Sequence, residues 1–265
     1  MAAALSSSLP DTGPLRGEWV TLAPRFPHQE PLRSWWSTPQ EGPVRSAVLV
    51  LPEVFGVNPW VRSVASRLAE AGHAALAVPL FSRTAPGLEL GYGEEDLAVG
   101  RSHKDRTRTA DLLDDLRLAA DWLQRQFPGL PLGCVGFCFG GHVAWLAATL
   151  PEVHLTCSFY GAGVVHGRPG GGPPTLEVLS AIRGTMLCLY GSDDPLVPPG
   201  DVAAVADALE AVNRDRRRRG EDGGPHRLLV LEGGHGFMCE ARPDHRPTAA
   251  AEGWRAMLDL FARQG

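Results

Sequence analysis

The chain has 265 residues, is 44% hydrophobic and carries a formal net charge of −5 at pH 7. That length suits one large domain that buries its core without disulfide or metal staples. The mildly acidic balance offers no electrostatic footprint for nucleic acid or anionic lipid, so neither is expected as a partner. Lys104 is the only lysine, which leaves Schiff-base chemistry a single candidate. The five cysteines, Cys134, Cys138, Cys157, Cys188 and Cys239, are odd in number and contain no CxxC pair. That pattern argues against a disulfide framework or a zinc ribbon and for a reducing, cytoplasmic setting. The opening MAAALSSSLPDTGPL has neither the cationic start nor the long apolar run of a secretory signal. No stretch reaches the roughly 18 apolar residues that a bilayer span needs.

Residues 1 to 16 are small, polar and rich in turn formers, and are expected to be disordered; residues 17 to 265 are read as a single domain. GEWVTLAP and PLRSWWSTP predict two short strands, arranged as a hairpin. SAVLVLP (46–52) is a continuous β-branched apolar run, the pattern of a strand covered on both faces. Asn58 and Pro59 then read as the N-cap and first position of a helix, with Val61, Val64, Ala65 and Leu68 at helical spacing and Gly72 as its stop. AALAVPLF (74–81) predicts a second buried strand, followed by a polar connection over 82–106. Leu112, Leu113, Leu116, Ala120 and Leu123 mark a further amphipathic helix. LGCVGF, LTCSFY, TMLCLY and HRLLVL predict four more strands. Helices are expected after the first of these, from Asp201, and from Thr248 with Trp254, Met257, Leu258 and Phe261 inward. HGRPGGGPP (166–174) reads as a mobile turn region, and NRDRRRRGEDGGP (213–225) as a solvated charged loop. Repeated strand–helix–strand units require right-handed parallel crossovers, so the fold class is a three-layer α/β sandwich with a mostly parallel central sheet flanked by helices.

In such sheets reactive groups gather at the carboxyl ends of the strands. GFCFGG (136–141) follows a predicted strand and opens a predicted helix. The pattern is G-x-C-x-G, a nucleophile elbow with cysteine in place of serine: Gly136 and Gly140 lie two residues either side of Cys138, where so tight a turn admits only small residues. A helix N-terminus behind Cys138 would favour its thiolate. EGGHGF places His235 after another strand as the base, and GSDDPLVP offers Asp193 and Asp194 to orient it. The order nucleophile, acid, histidine is that of α/β-hydrolases. The backbone N–H of Phe139, and that of Val54 in PEVFGVN, are the candidate oxyanion donors. Glu53 is anomalous, a carboxylate after a buried strand and close to the predicted thiol. Cys134, Cys157 and Cys188 lie inside strands and are read as packing residues; His142 is expected to face away from the site, and His73, His154 and His226 to be structural.

These stretches resemble the dienelactone hydrolase (carboxymethylenebutenolidase) family of the α/β-hydrolase superfamily. The resemblance runs from about Pro43 to Ala262, through LPEVFGVNPWVRSVASRLAEAGHAALAVPLFSRTAPG, VGFCFGG, YGSDDPLVP and GGHGFMCEARP. It implies a Cys138, Asp194, His235 triad, the acid being chosen because Asp194 stands before Pro195, Leu196, Val197 and Pro198. It also implies that Glu53 contacts the resting thiol and releases it when substrate binds, and that Arg83 of FSRTAPG binds a substrate carboxylate. One departure stands out: the family's second substrate arginine, four residues after the histidine, is here Cys239, with Arg242 further on.

The expected activity is hydrolysis of a lactone or small activated ester through a thioester acyl-enzyme. The alternatives are a broader carboxylesterase or thioesterase of the same fold and, from another class, a non-catalytic or redox-sensing thiol protein. No cofactor is expected, because neither G-x-x-x-x-G-K-[ST] nor H-E-x-x-H occurs. The partner is expected to be a small-molecule lactone or ester, and the state a monomer or homodimer.

Overall fold

A computed structural model describes residues 16–27, 29–221 and 224–262. Residues 1–15 lie outside it, and with them almost all of the segment expected to be disordered. The strands are β1 (Glu18–Leu22), β2 (Leu32–Ser37), β3 (Ser46–Leu51), β4 (His73–Ala77), β5 (Leu132–Phe137), β6 (Val153–Phe159), β7 (Thr185–Gly191) and β8 (Arg227–Leu231). The helices are α1 (Pro59–Glu70), α2 (Glu94–Lys104), α3 (Thr109–Gln126), α4 (Phe139–Ala147), α5 (Pro199–Arg219) and α6 (Pro247–Phe261), with a 3-10 helix over Thr175–Ala181.

One eight-stranded sheet runs in the order β1-β2-β4-β3-β5-β6-β7-β8. β2 is antiparallel to both its neighbours, and every pairing from β4 to β8 is parallel. This is the α/β-hydrolase architecture that the strand–helix alternation implies. Side chains alternate across the buried strands, so β3 sends Ala47, Leu49 and Leu51 to a core shared with α3 and α4. Its Val48 and Val50 go to the opposite core, under Val61, Val64 and Leu68 of α1 and Met257 of α6.

The chain leaves β3 toward β4 on one side and returns to β5 on the other, so β3 is a switch point where a crevice opens at the strand ends. The register pairs Leu51 of β3 with Gly136 of β5. That single pairing brings the Glu53–Val54 turn beside Cys138.

Several expectations change. The polar connection over 82–106 contains α2, whose only buried residue is Gly100. A helix this polar has no apolar stripe to reveal it. Asn213–Arg219 is the end of α5 rather than loop, closed by Gly220 in the left-handed region. Its four consecutive arginines suit a helix C-terminus, where the macrodipole is negative, and Arg216 is buried, donating to the Gly184 and Arg183 carbonyls. β4 ends at Ala77, short of the apolar run. Asp201 and Thr248 are not caps; Pro198 and Arg246 hold those positions. In α6, Trp254 and Leu258 are only partly buried, and Ala249, Ala250, Gly253 and Leu260 complete its inner face.

Candidate active site

Cys138 stands between β5 and α4 with φ 53° and ψ −116°, a conformation that L-residues rarely adopt. The elbow is held by packing so close that a Cβ on Gly136 would lie 2.0 Å from the Gly140 carbonyl, and one on Gly140 2.2 Å from the Leu51 carbonyl. Cys138 N–H donates to the Phe159 carbonyl at 3.1 Å, and its own carbonyl accepts from His142 N–H at 3.0 Å. Strain of this kind persists only where the surroundings over-determine it, and it concentrates at functional sites. The thiol is the only one of the five that is not fully buried. The N–H groups of Val54 and Phe139 take no hydrogen-bond partner among the described residues, and both residues line the cavity that Cys138 faces.

His235, carried on the loop after β8, is hydrogen-bonded through Nδ1 to Asp194 Oδ2 at 2.8 Å. Asp194 is itself fixed, accepting from Leu196 N–H at 2.8 Å. Asp193 is exposed and engages only Ser192 by its side chain. The imidazole rests edge-on against the buried Tyr160 ring, with centroids 5.1 Å apart. Its Nε2 is buried and makes no hydrogen bond of normal geometry. Burial alone would depress the imidazolium, but the charge of the Cys138 sulfur and the Asp194 carboxylate outweigh it and push His235 up to about 10.

Glu53 is 1% exposed and forms an ion pair with Arg242 at 3.0 Å, while its Oε2 has no partner. Desolvation raises its carboxyl above the ordinary value, against the opposing fields of Arg242 and His235. Its resting partner is therefore Arg242. Arg242 reaches the cavity through a short turn in which Cys239 N–H donates to the Gly236 carbonyl and Arg242 N–H to that of Cys239. Gly236, at φ 90°, leaves room for it, since a Cβ there would meet the guanidinium at 2.6 Å. Cys239 is buried in the core under α1 and α6. A cation absent at 239 thus arrives from 242.

The cavity has a volume of about 610 Å³. Its wall includes His142, which contacts the Ala162 carbonyl and the Thr175 hydroxyl, both within hydrogen-bond distance. The expectation that His142 faces away fails because α4 starts at the elbow itself, so its first turn is part of the site. Arg83 is placed elsewhere. It pairs with buried Asp115 at 3.0 Å, beside Ser82, and lines a separate small cleft between the Phe81–Thr84 turn and α3. The structure therefore does not bring Arg83 to the cavity that Cys138 lines. The cations that do line the cavity are Arg101, Lys104, Arg168 and Arg242.

The sequence profile of the dienelactone hydrolase family matches residues 32–265. The chain belongs to the dienelactone hydrolase family. It is 36% identical over 217 residues to a Synechocystis protein named "Putative carboxymethylenebutenolidase", covering 81% of this chain and 84% of that one. It is 30% identical over 222 residues to the carboxymethylenebutenolidase of Rhodococcus opacus, covering 82% and 80%. Among solved structures it is similar to one titled "Putative Dienelactone Hydrolase" from Klebsiella pneumoniae, with TM-score 0.79 and 25% identity over 93% of this chain and 98% of that one. As a member of the dienelactone hydrolase family the protein is a hydrolase. Among the described residues no helix is long and apolar enough to cross a membrane.

Proposed function

We propose that this hydrolase cleaves the ester bond of a lactone or small activated ester, with Cys138 as nucleophile, His235 as general base and Asp194 as the group that fixes the imidazole tautomer. The observation that carries this reading is a strained, partly accessible thiol facing the same cavity as a buried histidine already bonded to a buried carboxylate. His235 holds the proton of the Cys138 thiol as imidazolium while the sulfur attacks the carbonyl carbon, and the tetrahedral oxyanion is met by the N–H groups of Val54 and Phe139. Collapse breaks the C–O bond, and the departing oxygen takes a proton from the His235 imidazolium. Water then attacks the thioester while His235 accepts its proton, which releases the carboxylic acid and restores the thiol. Release of Glu53 from Arg242 when substrate enters would let the carboxylate act on the thiol, and this is the modulating role proposed for Glu53.

The test follows the loss of dienelactone ultraviolet absorbance, with wild type and Cys138→Ala side by side, and adds p-nitrophenyl acetate as a simple activated ester. Turnover by wild type alone is the expected result. Turnover retained by Cys138→Ala removes the mechanism, and failure of wild type on both substrates removes the reading.

A further inference from the structure

Three cations converge on the mouth of the cavity from two separate elements. Arg101 and Lys104 stand on the last turn of α2, and Arg168 stands on the loop after β6. None is a residue that the family resemblance singled out. Basic residues at a helix C-terminus complement its dipole, which accounts for cations on α2 but not for Arg168 joining them.

The supports are fixed. α2 packs on the Glu53–Val54 turn through Gly100, where a Cβ would meet the Val54 carbonyl at 2.4 Å. His103 Nδ1 lies 3.1 Å from the Thr84 hydroxyl. The Arg168 loop is tied to the start of α3, where Thr109 N–H donates to the Pro169 carbonyl at 2.9 Å, and Arg168 Nη2 donates to the Pro174 carbonyl at 3.0 Å. The donors remain available: the Arg101 guanidinium has no ion-pair or hydrogen-bond partner among the described residues, and Arg168 uses only Nε and Nη2. Lys104 pairs with Asp105, which also lines the mouth, but both are well exposed, at 40% and 68%, so an incoming anion can compete for the ammonium. Deeper in, Arg242 is neutralised by Glu53 and Asp244.

The field of this group reaches the cavity wall. Burial lowers His142, joined by the charges of Lys104 and Arg168, and together they bring it to about 4 against its bond to the Ala162 carbonyl. A protein of net charge −5 therefore presents a group of cations at the mouth of the cavity that Cys138 lines. The cavity also has room for a substrate that extends well beyond a five-membered lactone ring.

We propose that Arg101, Lys104 and Arg168 form an anion subsite at the cavity mouth, apart from positions 83 and 239 where the family resemblance places the substrate cations, and that it holds a carboxylate or phosphate on a limb of the substrate remote from the scissile carbonyl. The inference rests on Cys138 being the nucleophile that the limb delivers the carbonyl to. Three p-nitrophenyl esters of matched length test it: the hexanoate, the mono-adipate and the 6-phosphonohexanoate. Wild type is expected to favour at least one acidic ester over the hexanoate, mainly through KM, and to lose most of that preference in about 0.5 M salt. The Arg101→Gln/Lys104→Gln/Arg168→Gln variant is expected to lower the acidic-to-neutral ratio of kcat/KM about tenfold. Preference for the mono-adipate identifies a carboxylate limb, and for the phosphonate a phosphate limb. Cys138-dependent hydrolysis of the hexanoate with no acidic preference in wild type, or a triple variant with an unchanged ratio, overturns the subsite and leaves the nucleophile assignment standing. Absence of Cys138-dependent turnover on all three esters is failure of the underlying reading instead.

Discussion

Arg242 Nη1 lies 3.0 Å from Glu53 Oε1, across 189 positions of sequence, and the carboxylate it meets is almost completely buried. Removing one partner of such a pair strands the other without water, which costs far more than the pair contributes while intact. Arg242→Gln is therefore expected to lose about 3–5 kcal/mol of stability at neutral pH, read from denaturant midpoints. The loss has a pH signature. Burial already raises the Glu53 carboxyl, and Arg242 is the strongest group holding it down. Without Arg242 the carboxyl rises further, so the variant is penalised most above that pKa and least in acid, where Glu53 is protonated and neutral. A penalty equal at pH 5 and pH 8 would show that the lost energy is not the stranded charge.

Asp194 and Asp193 are adjacent in sequence and opposite in environment. Asp194 is buried on His235 Nδ1, whereas Asp193 is exposed. Asp194→Asn presents an N–H or a weaker acceptor to Nδ1 and favours the wrong tautomer, so kcat should fall by about ten-thousand-fold. Asp193→Asn should change kcat by less than about twofold, as exposed substitutions away from a site do. Steady-state kinetics on one activated ester decides, and comparable losses would overturn the choice of acid.

The backbone of Cys138 stores strain that a glycine would not. Cys138→Gly is expected to be more stable than Cys138→Ala by about 1 kcal/mol, with both inactive. The comparison isolates the backbone, because both variants lack the sulfur. Equal melting temperatures would mean that the turn is relaxed.

The raised imidazolium of His235 predicts a titration. Its folded value of about 10 stands above the ordinary 6.5, so protonated His235 contributes stability that is fully present below about pH 6.5 and lost as pH rises toward 10. Burial opposes this shift, and the Cys138 charge is the first of the groups that raise it. In Cys138→Ala the His235 midpoint, followed by the NMR shift of its ring Cε1–H, should move down toward neutrality, and stability should fall less between pH 7 and pH 10. An unmoved midpoint would show that the sulfur charge does not reach the ring.

Arg83 is paired with Asp115 in a cleft separate from the cavity that Cys138 lines. Its partner Asp115 is 4% exposed, and desolvation raises the Asp115 carboxyl against the bonds from Ser82 and Arg83. Arg83→Ala should cost about 2–4 kcal/mol of stability by leaving that carboxylate unpaired. It should also leave the preference between acidic and neutral esters intact. A selective rise in KM for acidic esters, with stability unchanged, would return Arg83 to the substrate.

Local sequence determined the parts of this protein whose signals are local. A continuous β-branched run reads as a buried strand, a G-x-C-x-G between such a run and a helix as an elbow, and Asn58-Pro59 as a helix start. The eight strands, the position of Cys138 and the order nucleophile, acid, histidine follow from these, while the choice of Asp194 over Asp193 is implied by the family resemblance. Tertiary structure decided what depends on charge meeting charge across the chain. Only Gly100 of α2 is buried, so no apolar period marks the helix, although it lines the cavity. Arg83 and Arg242 are both arginines near predicted site motifs, and the family resemblance favours the first. Only the packing of α3 places Asp115 against Arg83, and only the turn from Gly236 through Cys239 swings Arg242 onto Glu53. A buried carboxylate takes the nearest cation that geometry delivers, and that choice is made by the fold as a whole, since ion pairing carries no periodicity along the chain.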